Sequence, residues 1–83
     1  MVTDIGEPVD VSVMFRRGRL QPVAFGWRNR SYRVLRITGA HRERSGQFLN
    51  LYYTVMTGGP EVYELCLSTE GMVWKLLRIH REG

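Results

Sequence analysis

Phe25-Gly26-Trp27-Arg28-Asn29-Arg30-Ser31-Tyr32-Arg33-Val34-Leu35-Arg36-Ile37 sets the pattern for the rest of the chain. It combines three aromatic residues, three branched apolar residues and four arginines. Aromatic and branched side chains suit a pleated, half-buried surface, and a short polar run, Arg28-Asn29-Arg30-Ser31, divides them. The stretch reads as two strands joined by a tight turn. Its apolar side chains feed a core and its arginines stand at the surface. Gly26, between two aromatics, predicts a bulge or a close backbone approach.

On the N-terminal side, Leu20–Trp27 completes one of these strands, and Pro22 predicts an edge or a bulge near its start. Arg16-Arg17-Gly18-Arg19 is a turn with glycine at its tip. Before it, Val9, Val11, Val13 and Phe15 alternate with Asp10, Ser12 and Met14, the period-2 pattern of a half-buried strand that begins at Pro8. Met1–Glu7 reads as a flexible arm, and residues 8–83 as a single small domain.

On the C-terminal side, Ser31–Thr38 is the third strand. Gly39–Gly46, bounded by glycine and rich in charge, reads as an exposed loop. Gln47–Thr57 is the longest strand. Leu49, Leu51, Tyr53 and Val55 lie on one face, with Phe48, Asn50, Tyr52, Thr54 and Met56 on the other. Apolar residues on both faces predict a central position. After the turn Gly58-Gly59-Pro60, Glu61–Ser68 places Tyr63, Leu65 and Leu67 on one face. Met72–His80 reads as a last strand. A short C-terminal helix is the alternative, because Met72 and Leu76, and Val73 and Leu77, are also one helical turn apart. The pattern predicts an all-β fold, a small six-stranded antiparallel barrel or a strongly bent sheet. Trp27, Tyr32, Val34, Leu65 and Trp74 are expected in its core.

Eighty-three residues bury only about 60–65% of the surface that the unfolded chain exposes, which leaves little room for a deep catalytic cleft. No apolar run approaches the roughly 20 residues of a membrane span. The acidic N-terminus has no apolar stretch of the secretory type, and the single cysteine, Cys66, can form no internal disulfide. Together these point to the cytoplasm. The basic excess is concentrated. Residues 16–44 hold nine arginines against one acid, Glu43, a formal charge of +8 within a chain whose total is +4. Arginine presents a planar fork of donors that suits phosphate and stacks on flat rings. The plainer reading of the same residues is a solvated charged face.

Catalytic constellations are weak. Cys66 sits mid-strand with no helix terminus to lower its pKa, so an inert half-buried thiol is the simpler reading. His41, His80 and Cys66 lack the paired spacing of a zinc site. Gly58-Gly59-Pro60 has none of the residues of a phosphate loop. No catalytic residue, metal site, cofactor or small-molecule substrate is expected. Nucleic-acid binding has the better case, since small β domains bind strands with basic residues on phosphates and aromatics under bases. The expected contacts are Arg28, Arg30, Arg33 and Arg36, helped by Arg16, Arg17 and Arg19, with Phe48 or Tyr52 as stacking platforms. The rival is a protein-interaction adaptor that docks a partner through a sheet edge or an exposed aromatic face.

The run Phe25–Val34, together with Tyr63-Glu64-Leu65 and Trp74-Lys75-Leu76-Leu77-Arg78-Ile79, resembles an uncharacterised bacterial domain family. Members occur as short standalone proteins, and the domain is similar to the C-terminal module of catalytically dead Y-family DNA polymerase relatives used in mutagenic repair. The resemblance spans most of Val9–Arg81. It implies a small β domain in DNA-repair company, and it supplies no catalytic residues. The expected partner of the chain is DNA, RNA or a repair protein.

Overall fold

Two alternating runs build the centre of the molecule. Tyr53 and Val55 on one strand and Tyr63, Leu65 and Leu67 on the next are buried, while the residues between them are only half-buried. In the computed structural model, which describes residues 1–81, the chain forms β1 (Val2–Pro8), β2 (Asp10–Arg16), β3 (Arg19–Trp27), β4 (Arg30–Arg33), β5 (Arg36–Ser45), β6 (Phe48–Met56), β7 (Val62–Ser68) and β8 (Val73–His80). A five-stranded antiparallel sheet has the order β1-β8-β7-β6-β5, and a three-stranded antiparallel sheet the order β2-β3-β4. The small sheet packs on one face of the large one. Phe25 and Tyr32 from the small sheet meet Tyr63 of the large one at ring-centroid distances of 5.4 and 5.5 Å, and stack on each other at 5.0 Å. Such pairs contribute about 0.5–1.5 kcal/mol each beyond their burial. Leu65, Leu76, Val55 and Ile79 are essentially inaccessible, each worth about 1.5–3 kcal/mol of transfer free energy.

The all-β expectation holds, but the architecture differs from it in several places. Among the described residues there are eight strands rather than six, and β1 and β5 remain separate edges, so no barrel closes. Val2–Pro8 is a strand and not a flexible arm. It pairs with β8 from Val2 opposite His80 to Pro8 opposite Lys75, with a bulge between Asp4 and Glu7, where Gly6 takes a φ of 67°. The expected third strand is two strands. The chain leaves the small sheet at Val34-Leu35 and enters the large one, with the Val34 amide donating to the Val23 carbonyl and the Leu35 amide to the Met56 carbonyl, both at 2.9 Å. Gly39–Gly46 is not a loop, because most of it belongs to β5, paired with β6 as far as Ser45 opposite Phe48. Backbone pairing sustains this strand where its side chains show no apolar alternation.

Val73–His80 is a strand, as preferred over the helix. The bulge of β3 falls at Val23 rather than Gly26. Ser12 faces Ala24 and Val13 faces Pro22, which leaves Val23 extra, and the bulge accommodates a proline that has no N–H to give. The turn after β3 is the two-residue Arg28-Asn29, both at positive φ, the type I′ geometry that matches strand twist. Leu65 is fully buried as expected. Trp27, Tyr32, Val34 and Trp74 are half-buried and line the core's margin. Among the described residues, no helix is long and apolar enough to cross a membrane.

Candidate nucleic-acid interface

The β2–β3 hairpin and the β5–β6 hairpin extend past the core at the same end of the molecule. Tight turns make both possible. Arg17 and Gly18 sit at φ values of 52° and 74°, and Gly46 at 62°, so two residues reverse each chain. Between the hairpins lies an open cleft of about 780 Å³. Ile37, Leu49, Leu51 and Tyr53 supply its large-sheet wall, Leu20 and Phe15 its small-sheet wall, and Arg19 and Arg42 border it. Phe15 is 72% exposed, an unusual position for a phenylalanine in a thin domain. The two walls are tied by Tyr53, whose hydroxyl donates to the Leu20 carbonyl at 2.6 Å. Burial pushes the Tyr53 phenol above its ordinary pKa, which keeps that donor protonated.

The charge around this cleft is one-sided. Arg16 faces Arg19 across the hairpin turn with Arg17 between them. Arg42 faces Leu51 and Arg44 faces Leu49, which puts both arginines on the cleft side of the ribbon. Glu43 alternates to the other side, where it approaches His41 at 3.7 Å. Among the described residues, none of these five arginines is in an ion pair. An anion would therefore have no internal carboxylate to displace.

The remaining expected contacts are scattered. Arg28 donates to Glu7 at 2.9 Å and lies 4.5 Å over the Trp27 ring, while the Trp27 indole donates to the other oxygen of Glu7 at 2.9 Å. The hydrogen bond from Arg28, then that from Trp27, holds the Glu7 carboxyl below its usual range. Arg30 faces Trp27 across the same hairpin. The hollow of about 540 Å³ beside them is also lined by Glu7 and Asp10, so its charge is balanced and it suits an anion poorly. Arg33 faces Ala24 on the outer side of the small sheet. Arg36 faces Met56 on the outer side of the large one. Phe48 and Tyr52 are half-buried on that outer side, away from the cleft, and Tyr52 is covered by His41, stacked at 4.6 Å and 6°.

Phe15 and Arg42, which line the cleft, and Arg44, two residues further along the same strand as Arg42, are residues that sequence reasoning omits. The signal for Phe15 is present in the sequence: it ends an apolar alternation just before a run of arginines. The signal for Arg42 and Arg44 is not, because a charged segment between glycines carries no sign of its strand partner. Elsewhere on the outer face, burial pushes the Cys66 thiol up, which disfavours the thiolate. Among the described residues, no three histidine, cysteine or carboxylate side chains are grouped as metal ligands would be. Comparison with protein-family models, with curated proteins and with solved structures finds no match. The resemblance of the Phe25–Val34 run therefore rests on its own residues.

Proposed function

We propose that this domain is a non-enzymatic module that binds single-stranded nucleic acid in the cleft between the β2–β3 and β5–β6 hairpins. The observation that carries the reading is that Arg19 and Arg42 border an apolar cleft with one exposed ring, with Arg16, Arg17 and Arg44 on the same two hairpins, and that among the described residues none of the five is in an ion pair. Arginines follow a phosphate backbone, and a ring such as Phe15 stacks a base of any sequence. A duplex cannot use that ring without unstacking a base first, at a cost of a few kcal/mol, which favours a single strand. The resemblance to a polymerase-associated module is the reason to test DNA before RNA.

The test is fluorescence anisotropy with labelled oligonucleotides over a range of salt concentrations. Three to five phosphate contacts give a slope of log affinity against log salt of roughly −2 to −3.5 on single strands. The Phe15→Ala variant weakens binding by about 1–3 kcal/mol. Absence of binding at about 50 mM salt, where the electrostatic contribution is large, sinks the reading. A second reading, docking of a protein along a sheet edge, is favoured by the exposed apolar row Val13, Met14 and Phe15 on β2. Apolar docking of that kind is nearly indifferent to salt, so one titration series separates the two.

A further inference from the structure

A sheet edge presents a row of unpaired N–H and C=O groups, and native sheets protect their edges with bulges, prolines, charges or shortness. Three of the four edges here are protected. β1 is bulged between Asp4 and Glu7 and ends in Pro8. β4 is four residues long with an arginine at each end. β5 is bulged between Ile37 and Gly39 and continues as His41-Arg42-Glu43-Arg44. β2 has no bulge of its own, no proline and no shortness to protect it, and its charges stand only at its two ends. It runs for seven residues, and the bulge in its pairing belongs to Val23 on β3, which leaves β2 itself regular. Val13, Met14 and Phe15 are 43%, 47% and 72% exposed. The strand begins with Asp10 and ends with Arg16, and among the described residues neither is in an ion pair.

That sequence is complementary to itself when reversed. We infer that β2 pairs antiparallel with β2 of a second copy of this chain, about a twofold axis through Val13. In that register Val13 faces Val13, Ser12 faces Met14, Val11 faces Phe15 and Asp10 faces Arg16. Residues that face each other share a side of the sheet, so core-side groups meet core-side groups and both ends carry opposite charges. A parallel pairing would set Asp10 beside Asp10 and Arg16 beside Arg16, which disfavours it. The contact is isologous, as a twofold requires, and joins two three-stranded sheets into one of six strands. The axis is perpendicular to the joined sheet, so both arginine-bordered clefts lie on the same side of it.

The test is sedimentation equilibrium on the full chain, without nucleic acid, from about 1 μM to about 1 mM. A concentration-dependent dimer is expected. Asp10→Arg alone or Arg16→Asp alone puts like charges opposite each other twice per dimer, and each weakens dimerisation about tenfold or more. The double variant restores opposite charges and returns the affinity to within about threefold of the original. A chain that stays monomeric throughout overturns the inference. So does a dimer indifferent to the single reversals, or one that the double variant fails to restore, which is the outcome expected of an edge built for a different protein. If circular dichroism shows that a reversal unfolds the chain, hydrogen exchange on the unaltered protein decides. Protection of alternate β2 amides must then rise with protein concentration, and constant protection overturns the inference.

Discussion

Replacing Tyr53 with phenylalanine removes one oxygen and leaves the ring in place. That oxygen makes the hydrogen bond to the Leu20 carbonyl that ties the large sheet to the small one at the cleft. Tyr53 is 9% exposed and its ring lies 5.8 Å from that of Trp74, contacts that phenylalanine keeps. The loss is therefore the net value of one hydrogen bond plus part of the cost of stranding an acceptor. Leu20 is half-buried, so water reaches its carbonyl in part, and the total is about 1–2 kcal/mol. For a domain of this size that lowers Tm by roughly 5–15 °C. Thermal unfolding followed by circular dichroism reads it directly. Alkaline pH adds a second observable. Burial raises the folded-state pKa of Tyr53, so its contribution is intact below the unfolded pKa of about 10 and is lost as pH rises through the folded value. Tyr53→Phe flattens that alkaline limb without abolishing it, because burial also raises Tyr63. An unchanged Tm would refute the claim that this bond holds the two walls of the cleft together.

Other perturbations have equally definite outcomes. Arg17 occupies a left-handed conformation beside Gly18, and Arg17→Asn creates the Asn-Gly pair preferred in a type I′ turn, raising stability by about 0.5–1 kcal/mol in a urea titration. Trp27→Ala costs about 2–3 kcal/mol, below the about 3–5 of a fully buried aromatic, because the ring is half-buried; a cost under 1 kcal/mol, roughly the value of its hydrogen bond alone, would show that the ring contributes nothing by packing. At Glu64, burial raises the pKa, but hydrogen bonds from His80 at 2.7 Å and Arg78 at 3.1 Å outweigh it and leave the carboxyl net lowered. Its stabilisation is present above the usual carboxylate pKa of about 4 and is lost as pH falls through the lower folded value. Glu64→Gln is therefore less stable at pH 7 by about 1 kcal/mol and shows a flatter acid limb; parallel pH profiles contradict this.

Local alternation made the centre of the fold legible. Tyr53 and Val55, and Tyr63, Leu65 and Leu67, announce their buried faces because side chains alternate with period 2. The elements that sequence reasoning misses are those that long-range pairing creates. Val2–Pro8 holds acids, a glycine and a proline, and only its partner β8 makes it a strand. Ala40–Ser45 is exposed throughout, and only β6 extends it. The crossing at Val34-Leu35 lies inside a run of β-formers, so propensity joins what the topology divides. The same distinction governs the candidate site. Parity along the chain separates Arg33 from Arg28 and Arg30, but nothing local brings Arg19 and Arg42 to opposite sides of one cleft. That meeting follows from two hairpins in different sheets projecting in one direction.

The cleft reading is tested most directly by a two-dimensional ¹H–¹⁵N NMR titration of the labelled domain with a single-stranded thymidine oligonucleotide at low salt. Amide shifts are expected to concentrate in Phe15–Gln21, in Ala40–Arg44 and at Leu49 and Leu51, together with the Arg19 and Arg42 side chains, and to fade as salt is raised. Shifts centred on the Glu7–Trp27–Arg28 hollow or on the outer aromatics Phe48 and Tyr52, or no shifts at all, would contradict it.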